Sequence, residues 1–246
     1  MGSAVIYRQE IIQDITLFTS EPKARFYSDL FAHPDLSGFP DNISAAGRKG
    51  FSNRAKLRAT IVMKCECFSC ITDLLDYLQN NLLIAHYCGF NIMKPLPSYW
   101  TLDGIDNELL QSLMHSQVKK LYEAGIIDAS FIALDSTPIM ANTSHNNPKS
   151  FKKDKFKSDN QPKSDKDCGL GVHTASNQHN EKKFEFYWGY KNHVLVDCIT
   201  GLPIFELTTT ADVHDSSVAL NILSQTNSFF PINDCTFIAD KAYDVK

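Results

Sequence analysis

The sequence has no run of about 18 uncharged apolar residues, so no membrane-spanning helix is available to it. Its start, Met1-Gly2-Ser3-Ala4-Val5-Ile6-Tyr7-Arg8, has no basic flank followed by an apolar stretch. No secretory signal is therefore read, and a cytoplasmic protein without a membrane partner is the expectation. The chain also lacks an excess of positive charge. Lys plus Arg is 24 against 28 for Asp plus Glu, a formal net charge of −4. That argues against a protein coating nucleic acid over its whole surface, while leaving room for a local basic patch. No internal repeat is visible. An extracellular disulfide framework is missing too. The seven cysteines are odd in number and three of them crowd together as Cys65, Cys67 and Cys70. What remains is the composition of a folded globular protein, 43% hydrophobic and 11% aromatic. Its 246 residues make one large domain or two small ones.

The cysteine cluster admits a zinc site, with His86 and Cys88 as remote partners. A helical pattern across it turns each successive residue by about 100° and spreads the thiols around the cylinder. Buried free thiols are therefore the preferred reading.

Two halves differ in period. From about residue 25 to 125 the pattern is helical. Ser52 or Asn53 can cap a helix carrying Leu57, Ile61, Val62 and Cys65. A second run includes Leu74, Leu75, Leu78, Leu82 and Leu83, with Gly89 as its stop. An amphipathic helix from about Asp106 to Glu123 carries Leu110, Leu113, Met114, Val118 and Leu121. After Gly125 the period changes. Residues 130–134 read as a buried strand that stops at Asp135-Ser136-Thr137-Pro138. A polar, lysine-rich insert spans 149–167. Residues 186–196 and 202–210 form a hairpin turning at Thr200-Gly201. Asp212 or Asp215 can cap a helix through Ile222, and 235–239 is a last apolar strand ending at Asp240. The expected fold class is α+β. A helical domain, 1–125, precedes an α/β domain with a mixed sheet, 126–246.

The first and last strands of the second half both end in an aspartate. If they lie parallel, joined through a helix, the two acids meet at one end of a sheet. Adjacent carboxylates repel, and a divalent cation relieves that repulsion. Mg²⁺, or Mn²⁺, prefers hard carboxylate oxygen, and such ions support in-line phosphodiester chemistry. The competing reading of each residue is a turn or capping aspartate, with Asp244 paired to Lys241 at the surface. Spacing alone does not decide between them.

Specific blocks go further. Asp135-Ser136-Thr137-Pro138-Ile139 with Ala141-Asn142-Thr143 and Asn146-Asn147-Pro148-Lys149 resembles the first catalytic block of bacterial insertion-sequence transposases of the DDE superfamily. Tyr187-Trp188-Gly189-Tyr190-Lys191-Asn192-His193 with Thr200-Gly201-Leu202-Pro203 resembles their central hairpin. Thr210-Ala211-Asp212-Val213-His214-Asp215-Ser216 is similar to the segment entering their helix. Ala239-Asp240-Lys241-Ala242-Tyr243-Asp244 resembles their second catalytic block. Within that superfamily the likeness is to the insertion-sequence-four-like group. It implies a ribonuclease H-like domain and cleavage and strand transfer of double-stranded DNA, at transposon ends and target. It also implies Asp135 and Asp240 as the first two of three metal-binding catalytic acids. The third, a glutamate, has no counterpart in this sequence, so the resemblance implies a fragment, its catalytic domain truncated, unable to transpose DNA alone. Self-association stays open.

Five lysines stand in the insert within nine residues, Lys149, Lys152, Lys153, Lys155 and Lys157, around Phe151 and Phe156. They are the candidates for phosphate contact; a solvated mobile loop is the alternative. Ser52 to Arg58 is a weaker candidate, a basic helix start that packing would equally explain. Trp188, Tyr190 and His193 either shape the site or fill the core, and His214 reads as a cap or turn residue. Two further functions remain open. One is a non-catalytic DNA-binding or interfering remnant of a transposase, and the other is a zinc-stabilised helical module.

Overall fold

The computed structural model describes residues 19–33, 36, 38–41, 50–151, 153–176, 182–232, 234–240 and 243. Lys152, Lys241 and Asp244 lie outside them. The chain divides into two compact units, 1–113 and 114–246, each with its own core.

The first unit is helical: α1 (Pro22–Ala32), α2 (Asn53–Cys65), α3 (Ile71–Asn80), α4 (Leu82–Cys88), α5 (Tyr99–Asp103) and the first part of α6 (Asn107–Glu123). Ser52 caps α2, its hydroxyl accepting from Ala55 N–H at 3.2 Å. Gly89 ends α4 in the left-handed region, φ 102°. Tyr27, Ala59, Val62, Leu74, Leu78 and Ala85 form the centre of the core. Glu66, at the end of α2, ties three elements together. Its carboxylate accepts from Lys23 Nζ and Tyr27 Oη, both at 2.7 Å, and from Tyr77 Oη at 3.3 Å. The cysteine cluster departs from expectation. Cys65 closes α2, Cys67 stands at φ 57° in the turn, and Cys70 precedes α3, so all three thiols are exposed rather than buried. Cys88 is the buried thiol of this unit, and burial pushes it up to about 12.

The second unit is α+β. Its strands are β1 (Phe131–Met140), β2 (Gly169–Ser176), β3 (Lys182–Asp197), β4 (Pro203–Thr210) and β5 (Thr236–Ala239), with α7 (Asp215–Asn227) between β4 and β5. β3 pairs antiparallel with β1, β2 and β4, and β5 pairs parallel with β1. An antiparallel β1–β3–β4 meander, a helical crossover and a strand parallel to the first make a mixed, ribonuclease H-like sheet. The hairpin turns where Thr200-Gly201 predicts it. The buried Asp197 carboxylate holds that turn, accepting from the Ile199 and Thr200 N–H groups at 3.2 Å and the Thr200 hydroxyl at 2.5 Å.

The sheet's two faces differ. Ile132 and Leu134 on β1, Leu195 on β3 and Phe205 on β4 pack under Val218, Ala219 and Ile222 of α7. His115 of α6 stacks on Phe229 and Phe205 in the same core, with ring centroids 4.0 and 5.5 Å away. On the opposite face, Trp188, Tyr190 and Phe156 pack together under the lysine-rich insert.

Three features of this unit depart from the sequence reading. β1 does not stop at Asp135 but runs on to Met140, and its burial alternates instead of being continuous. Pro138 fits inside the strand because Ala141 N–H donates to Trp188 C=O. By alternation the Pro138 nitrogen then faces away from β3, past the point where β5 has ended. β2 is a strand that the periodicity did not reveal. His214, not Asp212 or Asp215, caps α7, its ring nitrogen accepting from Ser216 N–H.

Candidate active site

The parallel register sets Leu134 beside Ala239, so Asp135 and Asp240 are the next residues on neighbouring chains. Parallel strands lie about 4.8 Å apart, so the register brings the backbones of the two residues to the same end of the sheet. Both residues are exposed, and alternation along β1 puts Asp135 on the face opposite α7. The Ser136 backbone N–H donates to Asp135 Oδ1 at 2.8 Å, which fixes one oxygen and leaves the other outward. On the same face Asn192 stands across from Thr137, and its buried Oδ1 has no hydrogen-bond partner.

Behind the pair, on the α7 face, runs a hydrogen-bonded chain. The fully buried His193 bonds through Nδ1 to Tyr243 Oη at 3.1 Å and through Nε2 to Thr209 Oγ1 at 3.0 Å. Tyr243 folds back after Asp240, its N–H donating to Asp240 C=O at 2.9 Å, and its hydroxyl meets that of Ser136. Burial, then the charges of Asp215, Asp135 and Asp240, push the Tyr243 phenol up to about 12. His193 is pushed down, chiefly by burial, and sits neutral. Lys191 closes the cluster, its ammonium 2.9 Å from Asp215 Oδ1 and 2.9 Å from Val213 C=O. The chain therefore pins the residue after Asp135 to the turn after Asp240.

Two carboxylates at one end of the sheet and an orphaned amide oxygen nearby on β3 are hard oxygen donors, the chemistry that suits a small divalent cation such as Mg²⁺ or Mn²⁺. Among the described residues no three His, Cys, Asp or Glu side chains gather into a ready-made cage.

The structure gives the insert lysines different positions. Lys155 is spent internally: its ammonium donates to Asn147 C=O at 3.1 Å and lies 5.1 Å from the Phe156 ring centre. Its own carbonyl accepts from the Trp188 indole at 2.8 Å. Lys157 faces Asp154 at 3.2 Å. Lys149 and Lys153 are exposed. The insert is a packed series of turns against Trp188 and Tyr190, whose hydroxyl donates to Asp165 at 2.9 Å. On α2, Arg54 and Arg58 are used in packing, donating to the Phe39 and Phe31 carbonyls.

Sequence reasoning did not single out Ser136, Lys191, Thr209 or Tyr243 as parts of a site. Ser136 and Tyr243 stand inside the blocks flanking the two aspartates, and that was their only signal. Thr209 has none, because only the β3–β4 register brings it to His193.

Among the described residues no helix is long and apolar enough to cross a membrane. No curated protein and no solved structure gives a match to this sequence. The sequence family described as the transposase DDE domain matches residues 119–246, from α6 through the turn that carries Tyr243. With just over half of the chain matched, and the matched part carrying both aspartates, the protein belongs to the transposase DDE domain family.

Proposed function

We propose that the protein acts on double-stranded DNA by metal-dependent phosphodiester cleavage and strand transfer at the ends of a mobile element, with Asp135 and Asp240 as its metal-binding acids. The observation that supports this reading is the β1–β5 register, which brings Asp135 and the residue after β5, Asp240, to the same end of the sheet. A bound Mg²⁺ or Mn²⁺ supplies activation of a water or 3′-hydroxyl and stabilisation of the leaving oxygen. The residues do the rest. Ser136 N–H orients Asp135, and the His193–Tyr243 hydrogen bond holds the turn that presents Asp240. Lys149 and Lys153 supply phosphate contacts, while Lys155 and Lys157 keep the insert in shape. We assign residues 1–125 to DNA-end recognition and residues 126–246 to catalysis.

A second reading is a DNA-binding protein that occupies the ends without cutting them. It is favoured by the described residues, among which no three His, Cys, Asp or Glu side chains gather to hold a metal ion. One experiment separates them. The purified full chain is incubated with a duplex carrying the DNA that flanks its gene, with Mg²⁺, Mn²⁺ or EDTA. Cleavage that needs the metal and falls at least about a hundredfold in D135N and in D240N supports the enzyme; loss of an outer-sphere partner alone costs up to that much. Binding without cleavage supports the second reading. Cleavage indifferent to both substitutions sinks the proposed site.

A further inference from the structure

The lysine-rich insert borders an open pocket of about 540 Å³, of whose lining the reading above assigns only Lys153. Its lining includes Ser144, His145, Lys153, Gln161, Lys163 and Ser164, and no carboxylate. His145 is 5% exposed, yet neither ring nitrogen has a hydrogen-bond partner. A neutral imidazole always carries one N–H, so a desolvated donor is left aimed at nothing. The ring cannot easily turn away to find an acceptor. It stands edge-to-face on Trp188, with centroids 6.4 Å apart. The next residue, Asn146, is clamped: its amide nitrogen donates to the Ala141 and Trp188 carbonyls, each at 2.7 Å, and its oxygen accepts from Trp188 N–H at 2.9 Å.

The charged side chains that line this pocket have one sign. Among the described residues neither Lys153 nor Lys163 has a carboxylate within ion-pair distance, whereas two of the acids in the insert are engaged elsewhere. Asp154 faces Lys157, and Asp165 accepts from the Tyr190 hydroxyl and the Cys168 N–H. Two ammonium groups, the Ser164 hydroxyl and a held imidazole make a donor-rich cradle for an anion with several acceptor oxygens. We propose that this pocket is a subsite for one phosphate group of a DNA strand, with His145 donating to a phosphate oxygen and Lys153 and Lys163 flanking it. The assignment of the phosphate to DNA rests on the nucleic-acid reading above; the pocket itself does not.

The test follows the imidazole signals of the ¹⁵N-labelled full chain by NMR, in EDTA so that cleavage plays no part. His145 is assigned by comparison with H145Q. The chain is titrated with inorganic phosphate, with thymidine 5′-monophosphate and with a short duplex. The proposal expects the duplex to move the His145 signals saturably. K153A and K163A, both at exposed positions, should each weaken duplex binding and lower its salt slope by about one, while the charge-matched K119A on α6 does not. Duplex binding that leaves the His145 signals in place overturns the proposal. So does a His145 response to phosphate and the nucleotide but not to duplex, which would make the pocket a small-molecule phosphate site. A failed cleavage assay leaves this result standing.

Discussion

His193 shows most plainly how a single residue serves this site. It is fully buried, and both nitrogens are used within the chain from Thr209 to Tyr243. Burial lowers its affinity for a proton, and burial lowers that of His115, stacked against Phe229 and Phe205, in the same way. Unfolded histidines protonate near pH 6.5. On acidification the unfolded chain therefore takes up protons that the folded chain refuses, and stability present above that pH is lost as pH falls through it. The melting temperature should decline from pH 7.5 to pH 5, with His193 contributing up to about 1.4 kcal/mol per pH unit. A melting temperature that holds or rises over that interval, measured by circular dichroism, would contradict the assignment. At this scale the sequence was only partly informative. His214 was legible as a cap or turn residue because it precedes a helix. The cysteine cluster was misjudged because a turn, not a helix, carries Cys67 and Cys70.

At the scale of elements, the long β3 organises the second unit, and Gly189 is its tightest point. A Cβ there would collide with the Ile139 carbonyl oxygen and press on Ala141 N at 3.0 Å. Both are β1 backbone or its continuation, which cannot move aside as a side-chain tip can. G189A should therefore cost at least about 3 kcal/mol in urea unfolding, at or above the usual range for overpacking; a loss below about 1 kcal/mol would mean that the strands are not this close. The β3–β4 hairpin was legible because aromatic and β-branched runs flank a Thr-Gly turn. β2 was not, because it opens Gly169-Leu170-Gly171, where strand propensity is poor. Gly169 is required by packing, since any side chain would strike the Asp212 carboxylate. The end of β1 was misplaced because Pro138 reads as a breaker, whereas its missing N–H is harmless on the side where β5 has ended.

At the scale of the whole molecule, the α+β class and the order of helices before a mixed sheet follow from the change of period near Gly125. The meeting of Asp135 and Asp240 does not. It depends on a long-range parallel pairing that no local pattern encodes, and only the resemblance of the flanking blocks to transposases points to it. Central to the proposed function is one divalent cation held between these two carboxylates. Its most direct test is Mn²⁺ binding to the full chain, followed by electron paramagnetic resonance in the wild type, D135N, D240N and the double variant. A shared ion predicts that each single substitution weakens binding at least about tenfold and that the double variant is little worse than either, because one lost ligand already breaks the site. Wild-type affinity in either single variant, or losses that simply add, would contradict it.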